Sequence, residues 1–402
     1  MKNYFLILIF LLTPFAQSVE IKSLLVYTET PKRLPIVEGS KKLTIEFDIA
    51  AQSEPNLIIN FRFCDQDWEP YDNTFLLNQG YNTAYNLWFE QIPVPSGNVR
   101  YHFKDTFPNI DVTFPFSGKW MFYVTDSNNP DIVYAAGKFY VIKNQMPVNA
   151  RLFKNRLNSG QERSVELQRT YELRVDFNLP DSLSPMDLDF VEVIENQKVE
   201  YPINLLQDRF NDLRFFETNG ARGFTFIAKD IKPGNEYRQT NLMNQNKYKP
   251  PLTQAHFDGF DYDRFEQFGQ IDFNGGLELI NFKDNYADYM MVEFEFSPLN
   301  IISENIYLVG AFTDWEVLPQ NKLDDQSGIY TVTTELKRGI YDYQYVTGYD
   351  NGEKVTDIDW YVLEGNFWET TNLYYIFVYY KSLELGGYDQ IIGYIIIDSG
   401  RI

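Results

Sequence analysis

The chain has one cysteine, two histidines and, beyond its first residues, no long apolar run. A lone Cys64 forms no internal disulfide, so the fold must rest on its hydrophobic cores. His102 in YHF and His256 in AHF are the only imidazoles, and no GxSxG elbow accompanies them, which argues against a His-based hydrolytic site. Basic residues are scarce: 35 Lys and Arg stand against 56 Asp and Glu, a net charge of −21. Nucleic-acid binding needs clustered cations that displace counterions, so it is excluded as a function, and anionic membrane surfaces are disfavoured for the same reason. No stretch sustains a 3.6-residue apolar period, which removes helical crossovers and the parallel α/β folds built from them. Glycine-rich phosphate loops are missing too: GNEYR from Gly234 and GNFWE from Gly365 have the composition of turns that feed strands.

What is abundant is aromatic. Tyr 29 and Phe 33 bring the aromatic share to 17%, a composition suited to half-buried pleated surfaces. Period-two alternation recurs along the chain. LTIEFDIA (Leu43 to Ala50) sets Leu, Ile, Phe and Ile against Thr, Glu, Asp and Ala. YELRVDFNL sets Tyr171, Leu173, Val175, Phe177 and Leu179 against Glu172, Arg174, Asp176 and Asn178. MMVEFEF, GIYTVTTEL, YDYQYVTG and YIFVYYK continue the pattern, with turn signals such as DSNNPD, KPGNEY and YDNGEK between them. Short alternating strands without helices predict an all-β chain of tandem immunoglobulin-like β-sandwich domains. The proline of KNQMPVNARL and the onset of a new strand series at DNYADYMMVEFEF divide it into 19–146, 147–286 and 287–402. The loop NKYKPPLTQAHFDGFDYDRFEQFG, from Asn246 to Gly269, is long for a compact domain.

Residues 1–18, MKNYFLILIFLLTPFAQS, have the pattern of a secretory signal peptide. Lys2 leads, Tyr4 to Leu12 is apolar but too short for a membrane anchor, and Ala16 and Ser18 form a small–x–small cleavage pattern. Its removal leaves a chain of net charge −22.

Chemistry-bearing patterns are weak. Carboxylate pairs (Asp65 and Asp67, Asp261 and Asp263, Asp324 and Asp325, Asp357 and Asp359) are frequent enough among 56 acids to arise by chance, so a glycosidase reading has no specific support. In CDQDWEPYDN, Asp65, Asp67 and Asp72 lack the glycine and closing glutamate of a calcium loop and fit a turn fixed by Asp side chains. Cys64, in the strand LIINFRFC, fits a small buried hydrophobe. The expectation is no catalytic residue, no cofactor and no metal.

Two resemblances follow from motifs. NIYLVGAFTDWEVLP, GIYTVTTEL and KRGIYDYQYVTG resemble, in that order, the early-set sandwich of glycogen-binding modules. Trp315 holds the place of that module's first sugar-stacking tryptophan. Its lysine position is Gln344 here, and the following loop GYDNGEK has no second tryptophan, so glycan binding at Trp315 is expected to be weak or absent. Across almost the whole chain, FCDQDWEP, YHFKDTFPN, SGKWMFYV, GNEYR, FNGGLELI, ADYMMVEFEF, YLVGAFTDWE, RGIYDYQYV, LEGNFWETTNLYYIFVYYK and YDQIIGY resemble the type IX secretion system plug protein family; Phe63, where that family has His, is a departure. The resemblance implies a non-enzymatic periplasmic protein, peripheral to the outer membrane, that seals the periplasmic mouth of the β-barrel translocon. Trp68, Trp315, Phe367 and Trp368 are the candidate partner-binding anchors, since tryptophan-rich loop tips often dominate interface energy. The alternative is a carbohydrate-binding protein of the periplasm or cell surface.

Overall fold

The computed structural model describes residues 19–157, 166–208, 210–257, 259–266, 269, 271–352 and 354–401. The leader, 1–18, lies outside them. Every element in the described residues is a strand or a 3₁₀ turn of three residues. The strands form six sheets that pack in pairs, as all-β alternation predicts.

The first sandwich contains β1 (Glu20–Tyr27), β2 (Ile36–Glu38), β3 (Leu43–Ala50), β4 (Leu57–Cys64), β5 (Thr83–Ala84), β6 (Phe89–Ser96), β7 (Val99–Phe107), β8 (Gly118–Asp126) and β9 (Val133–Ile142). One sheet runs β1-β3-β7-β6 and the other β2-β9-β8-β4-β5. Inward residues interdigitate between them: Leu43, Ile45, Phe47 and Ile49 of β3 meet Phe61 of β4 and Phe122 of β8 in one buried cluster. Burying each such side chain contributes about 1.5–3 kcal/mol.

The second sandwich begins with β10 (Val148–Arg156), β11 (Arg169–Asn178), β12 (Leu188–Glu195), β13 (Ile203–Leu206), β14 (Arg214–Asn219) and β15 (Gly223–Ile231). The third follows with β16 (Arg238–Asn241), β17 (Leu252–Gln254), β18 (Leu277–Leu279), β19 (Tyr289–Phe296), β20 (Asn305–Gly310), β21 (Asp324–Gln326), β22 (Ile329–Lys337), β23 (Gly339–Asp350) and β24 (Val355–Asp359). The last strands, β25 (Leu373–Ser382) and β26 (Tyr388–Asp398), return to the second. There the sheets are β10-β11-β15-β14 and β13-β12-β25-β26, with Val191 opposite Val378 and Val193 opposite Ile376. In the third, β17-β19-β22-β21 faces a sheet built around the twelve-residue β23, which pairs with β16, β18, β20 and β24.

The sheets therefore divide the chain differently from the linear cut expected at residue 286, which falls inside the third sandwich between β18 and β19. That sandwich is inserted between β15 and β25 of the second. Alternation fixes which face of a strand is buried but not which strand it pairs with, so the return of β25 left no mark in the period. It did leave one in composition. LYYIFVYYKS is buried at nine of ten positions, the near-continuous apolar run of a strand covered on both faces. Tyr374, Ile376 and Val378 enter the second core, while Tyr375, Phe377 and Tyr379 face the first sandwich.

A chain ending after Asp359 loses β25, one of the two strands paired with β12, and exposes the second core. Its expected behaviour is loss of cooperative thermal unfolding and gain of hydrophobic-dye binding, with the first sandwich retained; calorimetry and limited proteolysis check this.

Candidate functional site

The residues singled out by sequence converge on the places where sandwiches meet. Between the first and second, CDQDWEP makes a tight turn: Asp65 Oδ1 accepts from the backbone N–H of Asp67 and of Glu69, each at 2.9 Å. Trp68, held at φ 67°, lies buried against Tyr140, with ring centroids 5.2 Å apart. Lys119 Nζ stands 4.8 Å from the Trp68 ring centre and donates to Glu192 Oε1 and to the Gln66 carbonyl, each at 2.7 Å. Tyr379 donates to the other Glu192 oxygen at 3.0 Å. The Lys119 and Glu192 side chains are 2% and 1% exposed, so the pair is fully withdrawn from water. Burial pushes the Glu192 carboxyl above its ordinary range, and Lys119 pulls it back.

The same loop grips the end of the chain. Asp389 of YDQIIGY accepts from Gln66 N–H and from the Tyr71 hydroxyl, each at 3.1 Å, and its own N–H donates to Tyr71 at 2.8 Å. Cys64 is buried, and desolvation raises its thiol to about 12, as expected of a packing residue. Phe63, the departure from the family pattern, packs with Trp120, Tyr71, Phe116 and Tyr388.

Between the second and third sandwiches, GNEYR meets EGNFWETTN. Gly234 N–H donates to Asn366 Oδ1 at 2.8 Å, and Phe367 N–H donates to the Gly234 carbonyl at 2.7 Å. The Trp368 indole donates to the Thr170 carbonyl at 3.0 Å, and the Arg169 guanidinium lies over both Phe367 and Trp368. Glu364 takes Arg238 at 2.9 Å and Arg264 at 2.8 Å, and Arg238 also reaches Asp261 at 3.0 Å. Burial works to raise Asp261, but Arg238, His256 and the hydroxyls of Tyr343 and Tyr345 outweigh it and hold the carboxyl low. These contacts tie the base of the long Asn246–Gly269 loop to the body.

Trp315 is 1% exposed. Its indole donates to the Gly275 carbonyl at 2.7 Å, and its ring packs against Tyr237 in a tilted arrangement with centroids 4.2 Å apart. Gly275 must be glycine: it holds φ +85°, and a Cβ there would lie 2.9 Å from the Trp315 nitrogen. Asp342 fixes the same FNGG turn by accepting from Phe273 and Gly275 N–H at 2.7 and 2.9 Å. Gln344, in the lysine place of the glycogen-binding pattern, is buried and donates to the Trp360 carbonyl.

The four expected anchors thus need correcting. Trp68, Trp315 and Phe367 are buried, and Trp368 is half-buried against the second core. None is a free loop tip, because each fills a seam between sandwiches. Sequence could show that the aromatics sit in turns, but not that a second domain covers those turns.

The reasoning from sequence missed the seam between the first and third sandwiches. Asp48, on the face of β3 expected to be wet, is 1% exposed. It accepts from His102 Nδ1 at 2.7 Å, Lys337 at 2.6 Å and the Tyr289 hydroxyl at 2.7 Å. Burial alone would raise its carboxyl, but these three partners hold it below the usual range. The His102 ring lies flat on Phe282, centroids 3.6 Å apart, and is 2% exposed, so it is not offered to a substrate. A cleft of about 410 Å³ opens beside this cluster. A second, of about 260 Å³, lies where all three sandwiches meet, lined by Lys138, Glu200, Asp314 and Glu316. Enclosure in that cleft, followed by the charges of Glu316 and Glu200, raises Asp314 to about 6 although solvent still reaches it.

Comparison with known proteins agrees with the resemblance over the first sandwich. Residues 21–143 match the family model described as the type 9 secretion system plug protein 1st domain, a span that runs from β1 to the end of β9. No curated protein matches. A crystal structure of a hypothetical protein from Parabacteroides merdae is similar at 20% identity over 95% of this chain and 98% of that chain, with a TM-score of 0.77; at that identity the fold is shared and nothing more. A bacterial ice-binding adhesin, at 9% identity over 94% of this chain and 96% of its own, has a TM-score of 0.14 and carries no argument.

Two outcomes are expected. Lys119→Met strands the Glu192 charge and costs about 3–5 kcal/mol in denaturant unfolding, whereas Lys119→Met with Glu192→Leu recovers most of that loss. Asp314 has a folded-state pKa raised above its unfolded value, so its contribution is complete below the ordinary carboxylate range and is lost as pH rises through about 6. The melting temperature should therefore fall between pH 5 and pH 7.5 less steeply in Asp314→Asn than in the parent.

Proposed function

We propose that this protein is a non-enzymatic plug of the type IX secretion system, which binds and seals the periplasmic opening of the outer-membrane β-barrel translocon. The observation that carries the reading is the match of residues 21–143 to the plug protein first domain. The architecture supports it. A plug must keep its shape against a pore, and three sandwiches joined by buried ion pairs and stacked aromatics form a stiff body. Its place is the periplasm, reached through the leader of residues 1–18, with peripheral association at the outer membrane. No helix among the described residues is long and apolar enough to cross a membrane. The partner is the translocon barrel, held through a large reversible interface.

The residues of greatest chemical promise are occupied in structure. His102 and Asp48 bind each other, and Asp261 is taken up by Arg238 and two tyrosines. The carbohydrate-binding alternative placed its ligand on Trp315, whose ring is enclosed, so nothing at that turn favours it.

Tagged protein should retain a large outer-membrane barrel protein through detergent solubilisation and affinity purification, identified by mass spectrometry. Recovery of no barrel above an untagged control sinks the proposal. Lys119→Met is expected to lower recovery, since it loosens the seam between the first two sandwiches.

A further inference from the structure

Three carboxyl groups are buried together where the third sandwich is inserted into the second. The chain enters that sandwich through residues 232–237, between β15 and β16, and returns through 360–372, between β24 and β25. Glu236 lies on the ingoing connector, Asp272 just before β18 and Asp342 on β23; they are 6%, 6% and 0% exposed. Glu236 Oε1 accepts from the Thr371 N–H of the returning connector at 2.7 Å. Asp272 Oδ2 accepts from the Tyr237 N–H of the ingoing connector, and Oδ1 accepts from Asn274 N–H at 2.6 Å. Glu236 and Asp272 thus tie both connectors to the turn that leads into β18.

The two carboxyls lie within hydrogen-bonding reach of each other. Carboxylates offer only acceptors, so this contact needs a proton between them. The donors already present decide where it sits. Both Asp272 oxygens accept a backbone N–H, whereas Glu236 Oε2 is buried with no donor. A proton on Glu236 Oε2, donated to Asp272, satisfies that orphaned atom. The surrounding charges favour its retention. Asp342 adds a negative group beside Asp272, its own oxygens taken by the Gln239 side chain and the N–H groups of Phe273 and Gly275. The cation beside Glu236 is Arg264, which is shared with the Glu364 carboxylate and the Glu236 carbonyl. Arg238 is taken by Glu364 and Asp261. Lys198, 5.4 Å from the Tyr237 ring centre, is bound to Glu195, and the Tyr237 hydroxyl accepts from Asn196. Burial, then the charges of Asp342 and Glu236, push Asp272 well above the carboxylate range; burial raises Glu236 as well.

We propose that Glu236 and Asp272 share one proton, and that this buried acid–carboxylate pair is a pH-sensitive latch seating the third sandwich on the second. With the proton in place, one hydrogen bond joins the ingoing connector to the turn before β18. Without it, two anions face each other in a seam closed to water, with Asp342 beside them, and their repulsion parts the two segments. The latch needs no open path and no bound ligand, only a proton that the closed junction holds and the opened one releases. A closed junction keeps that proton above the range in which an exposed carboxyl loses one. The latch is therefore complete in acid, weakens as pH rises beyond the ordinary carboxylate range, and is lost once the pair ionises. Burial raises Asp342 to about 6, which places its ionisation in the same window. The latch is independent of the secretion reading.

Hydrogen exchange of the full chain, read by mass spectrometry between pH 5 and pH 7.5 on segments 234–242 and 271–279, provides the test. After correction for the intrinsic pH dependence of exchange, protection in the parent should fall about tenfold per pH unit for each proton the closed junction holds. Glu236→Gln supplies an amide that donates to Asp272 and still accepts from Thr371, so its slope should be shallower by about tenfold per pH unit. Asp272→Asn removes the other carboxyl and should flatten the slope equally. Asp314→Asn should leave it unchanged, which separates the latch from the acid in the cleft. Infrared spectra of the parent at pH 6 should show a protonated-carboxyl stretch that is diminished in Glu236→Gln. Parent protection that stays level with pH overturns the proposal. So does a folded Glu236→Gln that keeps the parent's slope and infrared band, or a slope abolished by Asp314→Asn.

Discussion

The strand Leu373–Ser382 has no free face, and the rest of the molecule is arranged around that fact. One side supplies Tyr374, Ile376 and Val378 to the second core. The other lays Phe377 flat on Tyr140 of the first sandwich at 4.5 Å, and Tyr379 flat on Phe190 at the same distance. Because β25 and β26 arrive last in the chain, neither the second sandwich nor its seam with the first is complete until the inserted third sandwich has been traversed. Long-range pairing of this kind pays its loop-closure entropy before it gains contacts. It also joins the three domains into one cooperative arrangement rather than beads on a string.

The seams combine two kinds of contact. Stacked aromatics supply area and directional packing. Buried ions supply register: Lys119 with Glu192 between the first and second sandwiches, and Asp48 with Lys337 between the first and third. Taking such charges out of water offsets most of what their attraction gains, so the pairs are poor sources of net stability. Their effect is on misalignment. A sandwich displaced by one residue along a seam would leave a bare buried charge, which costs far more than a shifted aromatic contact. Apolar packing alone tolerates small slides, whereas these pairs do not.

Sequence conveyed the class of the fold because alternation is a local property. Leu43, Ile45, Phe47 and Ile49 are buried as their period requires. It failed for Asp48 on the opposite face, since a polar row reads as solvent-facing whether water or another domain covers it. The quoted family-like stretches were informative about position in another sense. FCDQDWEP touches YDQIIGY, GNEYR touches EGNFWETTN, and FNGGLELI touches YLVGAFTDWE. Residue types too specific for a plain β-strand occur where separate stretches must fit, the first two pairs at junctions of sandwiches and the third within one sandwich, and such a fit is invisible in either stretch read alone. The long apolar run of β25 was the one legible sign that a strand lay between two domains.

The placement of the aromatics also bears on how a partner is met. Trp68, Trp315, Phe367 and Trp368 are spent on internal packing, so they are not free for contact with another protein. Those left outside include Trp88, 83% exposed on the first sandwich, and Phe257 and Phe265, 61% and 55% exposed on the long loop of the third. That loop is not loose at its base, where Asp261 and Arg264 are locked into the ionic cluster with Arg238 and Glu364. A loop pinned by buried charges presents its aromatic tips with little ordering left to lose on binding, which favours association. The acidity of the chain then acts at longer range. A net charge of −21 repels acidic surfaces and favours encounter with basic ones, steering encounter more than setting affinity. Stiff seams inside and pinned aromatics outside rest on one device, the burial of paired charges, placed between sandwiches for Lys119 with Glu192 and Asp48 with Lys337 and within the third for Arg238, Arg264, Asp261 and Glu364.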